Sequence, residues 1–472
     1  MEFNKNIKVR TSVKQYLADL YTPVGIYLRL RDRFRDTILL ESAGNQNREN
    51  NFSFIAVNAI AGIEIRDYGQ ATLKFPNESP QTIDLTGKKL SEMLWAFSNC
   101  FECEAPAHPI AKNAQGFFGY TSYDAIPFFE NIHFKDRSEE NKIPLLRQRL
   151  YQYVIAINHY NDEMYLIENK IDGLKSESLT VENLIQQKNA PVFPFEICSE
   201  ETSNLSDEEY MQMVGQAKAH CFRGDVFQLV LSRRFRQEFR GDEFNVYRAL
   251  RNINPSPYLF YFDYGDYKLI GSSPESQLII RDGKAVIHPI AGTFRRTGEI
   301  DKDLAAAEEL RNDPKENAEH TMLVDLARND LSICGKNTRV SKLKEIHFFS
   351  HVIHMVSEVT ADVSPDQNPY EMVAATFPQG TLSGAPKFRA MELIEQYEKT
   401  SRSYYGGCVG FSGFDGSCNQ AIMIRTFLSK YNTLYYQAGA GIVAKSSAES
   451  ELQEVNNKLG ALKKAIILAQ KI

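Results

Sequence analysis

Apolar and polar positions alternate through much of the first 190 residues, the period of strands with one buried face. Gly25–Leu30, Phe52–Ala56 and Tyr151–Ile157 read as strands, separated by polar turns such as 45–51. A passage at 189–196 carrying two prolines reads as a linker. It divides an N-terminal region, 1–190, from a second region, 191–472. Beyond it, Ser206 precedes an acidic first turn, and Tyr210, Val214 and Ala217 recur at helical spacing. Strands rich in Val, Ile, Tyr and Phe then alternate with helices in no regular βαβ order. The pattern predicts an α+β protein with large, mostly antiparallel sheets.

Two predicted helices carry paired carboxylates. Asp313 suits an N-cap, Pro314 a first turn and Glu316 the capping-box position. Glu319 falls one turn on, in line with Met322, Leu323 and Leu326, so it points towards a core. A carboxylate there is costly unless paired or bound to a cation. In the last helix Leu452, Val455, Leu459, Leu462 and Ile466 form an apolar stripe, with Glu451, Glu454 and Lys458 on a narrow adjacent face. Each glutamate pair is spaced i, i+3 and shares one face. An isolated pair of this kind is most often surface charge; two pairs point to a divalent metal.

Composition narrows the setting. The chain has 472 residues and a net charge of −6, with no basic run to attract nucleic acid or an anionic membrane. No apolar stretch reaches the roughly 18 residues of a membrane span, and the N-terminus has no signal-peptide core. Seven cysteines, an odd number widely scattered, fit reduced thiols in the cytoplasm. Cys100 and Cys103 form a CxxC without a second ligand pair, which reads as structural.

Longer motifs go further. GDVFQLVLSRRF (224–235), NPSPYLFYF (254–262), GSSPE (271–275), PIAGTFRRTG (289–298) and ENAEHTMLVDLARNDL (316–331) are followed by HVIHMVSEV (351–359) and GTLSGAPKFRAMELI (380–394). YYGGCVGF (404–411) and QAGAGIVAKSSAESELQEVNNK (437–458) complete the series. Together they resemble the anthranilate synthase component I branch of the chorismate-utilising enzymes. The N-terminal third matches more sparsely, through LLES at 39–42, Ser53 and GFFGYTSYD at 116–124. The resemblance implies two large, mostly antiparallel sheets packed as a sandwich with helices outside. It implies Mg²⁺ held by Glu316, Glu319, Glu451 and Glu454, directly or through water, a role suited to a hard cation that keeps several waters. It also implies that Glu275 protonates the leaving 4-hydroxyl of chorismate, with Thr381 and His354 beside the ring. Tyr405, Arg425 and Lys458, with Gly292, Thr293, Gly439 and Gly441, would hold the substrate. Arg425 suits a bidentate grip on a carboxylate.

Two neutral residues separate family members. Gln228 stands where water-using relatives carry a lysine base, and ammonia needs no such base. Ala291 stands where aminodeoxychorismate synthase component I carries a lysine suited to covalent attack. The pair implies anthranilate and pyruvate from chorismate and ammonia, the first committed step of tryptophan biosynthesis. The folate-pathway enzyme making aminodeoxychorismate is the alternative. Glu41, Ser42, Asn254, Pro255, Ser256 and Tyr258 match an inhibitory tryptophan site. No cysteine lies in a GxCxG elbow, which implies a separate glutamine amidotransferase subunit in a heterotetramer.

Overall fold

The computed structural model describes residues 3–43, 51–135, 140–348 and 352–472, with only the backbone of Thr293 and Arg295. The predicted turn at 45–51 lies outside these residues except for its last position. Among the described strand pairings one is parallel, Ile7–Leu17 with Phe101–Cys103; every other is antiparallel.

Two sheets share a pair of long strands, Phe52–Ile65 and Leu146–Asn158. From one side of that pair the order runs Thr37–Glu41, Tyr258–Asp263, Tyr267–Ser273, Thr426–Lys430, Thr433–Ile442, Gln228–Gly241. From the other it runs Gly116–Thr121, Cys408–Gly413, Cys418–Ile422, Ser276–Arg281, Lys284–Ile287, Val352–Asp362. Every residue of Leu146–Asn158 is buried, because both of its faces are covered.

Side-chain alternation then builds two cores. Phe260, Phe262, Leu428 and Tyr435 of the first sheet meet Phe118, Tyr120, Val409 and Ile422 of the second, filling the space between the sheets. Leu259, Tyr261, Leu434, Tyr436 and Ala440 point the opposite way, under the helices Asp207–Arg223, Phe244–Ile253 and Ala448–Ala469. The expected sandwich with outer helices is thus present. Strands from the first 190 residues hydrogen-bond directly to later ones, as in Leu259 opposite Glu41 and Val409 opposite Tyr120.

Local signals explain the helix ends. Ser206 and Glu209 form a complete capping box at the start of Asp207–Arg223, and Gly224 closes it at φ +82°. Asp313 accepts from the Lys315 and Glu316 amides, with Pro314 in the first turn of Pro314–Cys334. One expectation fails: Gly25–Leu30 is not a strand but most of the helix Pro23–Leu30. Thr22 Oγ1 accepts from the Gly25 amide at 3.0 Å and Pro23 sets the first turn, so capping overrides a short apolar run whose period is ambiguous. No described helix is long and apolar enough to cross a membrane. All seven cysteines are free thiols.

Candidate active site

At one end of the sandwich, strand ends from both sheets meet two helix N-termini. Strand Gln228–Gly241 begins there, Thr433–Ile442 ends there, and Arg425 lies in the connection between Cys418–Ile422 and Thr426–Lys430. Pro314–Cys334 brings its first turns against the strand Ile290–Arg295, while the start of Ala448–Ala469 closes the other side.

Glu275 follows strand Tyr267–Ser273, and Thr381 Oγ1 donates to its Oε1 at 3.1 Å. Desolvation pushes the carboxyl up to about 7, opposed by the Thr381 hydroxyl and by the charges of Lys458 and Arg425. It is therefore substantially protonated near neutrality. Arg425 holds a left-handed backbone at φ 49°, which costs a non-glycine residue about 1–2 kcal/mol. Its part-buried guanidinium interacts electrostatically with Glu275.

On the adjoining strands, His354 is 6% exposed, and its Nδ1 donates to the Gly292 carbonyl at 2.9 Å. Burial pushes the ring down to about 4, so it stays neutral. Gly292, at φ +70° in a bulge between Ala291 and Thr293, admits no side chain. A Cβ would lie 2.5 Å from Leu310 and 3.2 Å from a Glu316 carboxylate oxygen. Ala291 is buried, and Thr293 pairs with His354 through its backbone; the Thr293 side chain lies outside the described atoms.

Gln228, expected from the sequence to bear on the choice of nucleophile, contacts one of the candidate metal acids. Its Nε2 donates to Glu319 Oε1 at 3.3 Å. A Cβ on Gly441 would come within 2.5 Å of the same amide nitrogen, so a side chain there would displace the Gln228 amide. Lys458 Nζ reaches Glu454 at 2.8 Å and donates to the Gly439 carbonyl at 2.9 Å; the Gly439 backbone also hydrogen-bonds the Tyr405 hydroxyl.

The four metal candidates face one another across the cleft. Desolvation raises Glu319, Glu316 and Glu451, and each is raised further by other carboxylates: Glu454 acts on all three, and Glu319 also on Glu316. Like charges this close raise one another's pKa, a repulsion that a bound cation would relieve. They do not form a closed cage: among the described residues no three acids converge as a metal-holding group. Carboxylate oxygens are the hard donors that suit Mg²⁺, which takes few from protein and completes its shell with water and substrate.

The residues expected from the sequence to form an inhibitor site gather on the outer face of the first sheet. Ala43 N donates to Ser256 O at 3.0 Å, Ser256 Oγ hydrogen-bonds Ser272 Oγ at 2.7 Å, and Asn254 Nδ2 donates to Ser272 Oγ at 3.0 Å. Ser42 precedes Ala43, Pro255 sits between Asn254 and Ser256, and Tyr258 opens the following strand. Glu41 is buried and already engaged: Tyr247 Oη donates to it at 2.7 Å and Arg251 Nε lies 2.8 Å away. Tyr247 and Arg251 share a helix face at i, i+4, but nothing in their own segment announces a partner two hundred residues upstream. Lys315, which faces Glu319 and Glu451, escapes sequence reading for the same reason.

The chain is similar to known proteins over most of its length. Residues 56–464 match the family model described as chorismate binding enzyme. The anthranilate synthase component 1 of Aquifex aeolicus is 35% identical, over 99% of this chain and 97% of that protein. The crystal structure of anthranilate synthase component I from Streptococcus pneumoniae superposes with a TM-score of 0.74 at 29% identity, covering 95% of this chain and 99% of that one. The menaquinone-specific isochorismate synthase of Escherichia coli shares the fold at a TM-score of 0.72 and 17% identity, over 99% and 96% of the two chains. The chain belongs to the chorismate binding enzyme family, in the group of the anthranilate synthase component 1 enzymes.

Proposed function

We propose that the protein converts chorismate and ammonia to anthranilate and pyruvate in the cytoplasm, as the component of a heterotetramer whose separate amidotransferase subunit draws the ammonia from glutamine. The observation that carries this is Glu275, a carboxyl poised near pH 7 and hydrogen-bonded to Thr381, beside Gln228 and Ala291 at the nucleophile-selecting positions. Protonated Glu275 gives its proton to the ring 4-hydroxyl, which leaves as water while ammonia forms the new C–N bond at C2. Arg425, Tyr405, Lys458 and the Gly292, Thr293, Gly439 and Gly441 backbone bind and orient the ring substituents. Loss of the C2 proton and of pyruvate then aromatises the ring. His354 stays neutral beside it, with Nδ1–H fixed on Gly292. Glu316, Glu319, Glu451 and Glu454 would hold Mg²⁺, which when bound neutralises charge on the substrate carboxylate.

Incubation of the protein with chorismate, Mg²⁺ and an ammonium salt should yield fluorescent anthranilate and stoichiometric pyruvate. No anthranilate would refute the reading. A product that retains its enolpyruvyl group would establish aminodeoxychorismate formation instead, a reaction that the buried Ala291 disfavours by offering no lysine.

On this reading residues 1–190 contribute to a tryptophan-regulatory site and 191–472 form the catalytic one. Glu41 would share its carboxylate between Arg251 and the tryptophan ammonium, with Ser42 and the 254–258 turn around the indole. Tryptophan should inhibit the enzyme and raise its Tm. In Glu41→Ala the inhibitor concentration needed should rise about tenfold or more, the loss expected for a hydrogen bond to a charged group. Tryptophan that neither inhibits nor shifts Tm in the parent enzyme excludes the regulatory site.

A further inference from the structure

Beneath the cleft lies an ion pair that no candidate role above uses. Arg402 and Glu398 are only 2% and 5% exposed. Glu398 takes Arg402 Nε on one oxygen at 2.9 Å and Nη2 on the other at 2.7 Å; it also accepts the Ser232 amide at 2.8 Å and hydroxyl at 2.7 Å. A pair this deep need not add net stability over apolar packing of the same volume. Its retention calls for another account, and the remaining donors supply one.

Arg402 Nη1 donates to the Leu382 carbonyl at 2.6 Å, and Nη2 to the Val230 carbonyl at 2.8 Å. Leu382 follows Thr381 in the short helix Gly380–Ser383, whose hydroxyl holds Glu275. Val230 is two residues from Gln228 on the same strand face. The guanidinium also lies 5.6 Å from the Tyr405 ring centroid, and the Tyr405 amide donates to the Arg402 carbonyl at 3.0 Å. One planar cation thus reaches three separate stretches of chain that line the cleft.

We propose that Arg402, oriented by Glu398, is a positioning residue that sets the spacing between the proton donor Glu275, the nucleophile-selecting Gln228 and Tyr405. It touches no substrate and acts by fixing the carbonyls of Leu382 and Val230. A rigid fork suits this task because a guanidinium directs several donors in one plane, whereas an ammonium cannot span the same carbonyls. Lysine at 402 keeps the charge and loses the template.

The proposal rests on the cleft being the chorismate site. A parent enzyme that does not turn over chorismate defeats that reading; an active parent with unaffected variants defeats only this one. Arg402→Lys should lower kcat/KM about 100-fold, as misplacement of reacting groups by about 1 Å does. It should also move the basic limb of the pH profile upward. A loosened Thr381 hydroxyl no longer stabilises ionised Glu275, whose other charged neighbours, Lys458 and Arg425, stay in place. A purely structural pair would lower Tm and leave the limb where it is. Ser232→Ala, which removes one donor to Glu398, should shift both readouts the same way by less. If Arg402→Lys folds with parental kcat/KM and an unmoved limb, the proposal is wrong. If it does not fold, parental values in Ser232→Ala are equally decisive against it.

Discussion

Glu275→Gln should lose about 10²- to 10⁴-fold in kcat while leaving the fold intact, the usual contribution of a positioned general acid. The amide keeps the shape of the carboxyl and its contact with Thr381 but has no proton to give. The pH dependence identifies the group. Folding raises this carboxyl from 4.5 to about 7, so the protonated form is present below that value and is lost as pH rises through it. The parent's kcat/KM should therefore fall tenfold per pH unit on the alkaline side of about 7, and the residual activity of Glu275→Gln should lack that limb. Stability runs the other way. A raised carboxyl favours the folded state fully only below the unfolded pKa, and that contribution disappears as pH climbs through 4.5 towards 7 and above. Glutamine carries no such loss. The variant's Tm should exceed the parent's at pH 8 and converge with it near pH 4, so a catalytic residue that destabilises its own protein can be recognised by calorimetry alone. An unchanged limb in Glu275→Gln would assign the proton to another group.

The second large effect concerns the acidic ring. Glu319→Gln and Glu454→Gln should each raise the Mg²⁺ concentration for half-maximal activity by about 100-fold or more, above the 10- to 100-fold typical of outer-sphere partners. The two differ in their structural consequences. Glu454 is half exposed and pairs with Lys458; its neutralisation gives up a surface pair worth about 0–1 kcal/mol and relieves its repulsion of Glu316, Glu319 and Glu451, so the opposed effects should barely move Tm. Glu319 is desolvated and accepts the Gln228 amide, and its neutralisation should relieve repulsion from Glu454 and raise Tm slightly. Activity falling while stability holds or rises separates a ligand from a structural acid. Near-parental activity and Mg²⁺ response in both variants would remove the metal assignment.

How far these residues could be read in advance depended on distance along the chain. The i, i+3 pairs and the Asp313 cap are local, and helix geometry alone places them. That the two helices face each other across one cleft is a tertiary fact; no periodicity encodes the encounter of Glu319 with Glu454, and only family resemblance anticipated it. Gly25–Leu30 reads as a strand because so short an apolar run fits either period, and the Thr22 cap decides for the helix Pro23–Leu30. Arg251 on Glu41 and Arg402 beneath the cleft were invisible for a different reason. A charged residue on an amphipathic helix or in a turn reads as solvated until the fold covers it.

The hydrogen bond between Gln228 and Glu319 has a consequence for how such enzymes diversify. On the proposed reading, the residue that would decide what attacks the ring also bears on one that would hold the cation. Replacing the amide with an ammonium, the change that would recruit water, would set a positive charge against Glu319 and weaken its claim on a divalent ion. If both roles hold, reaction choice and cation affinity are coupled through this one contact, and a change at 228 would call for a compensating change among the acids.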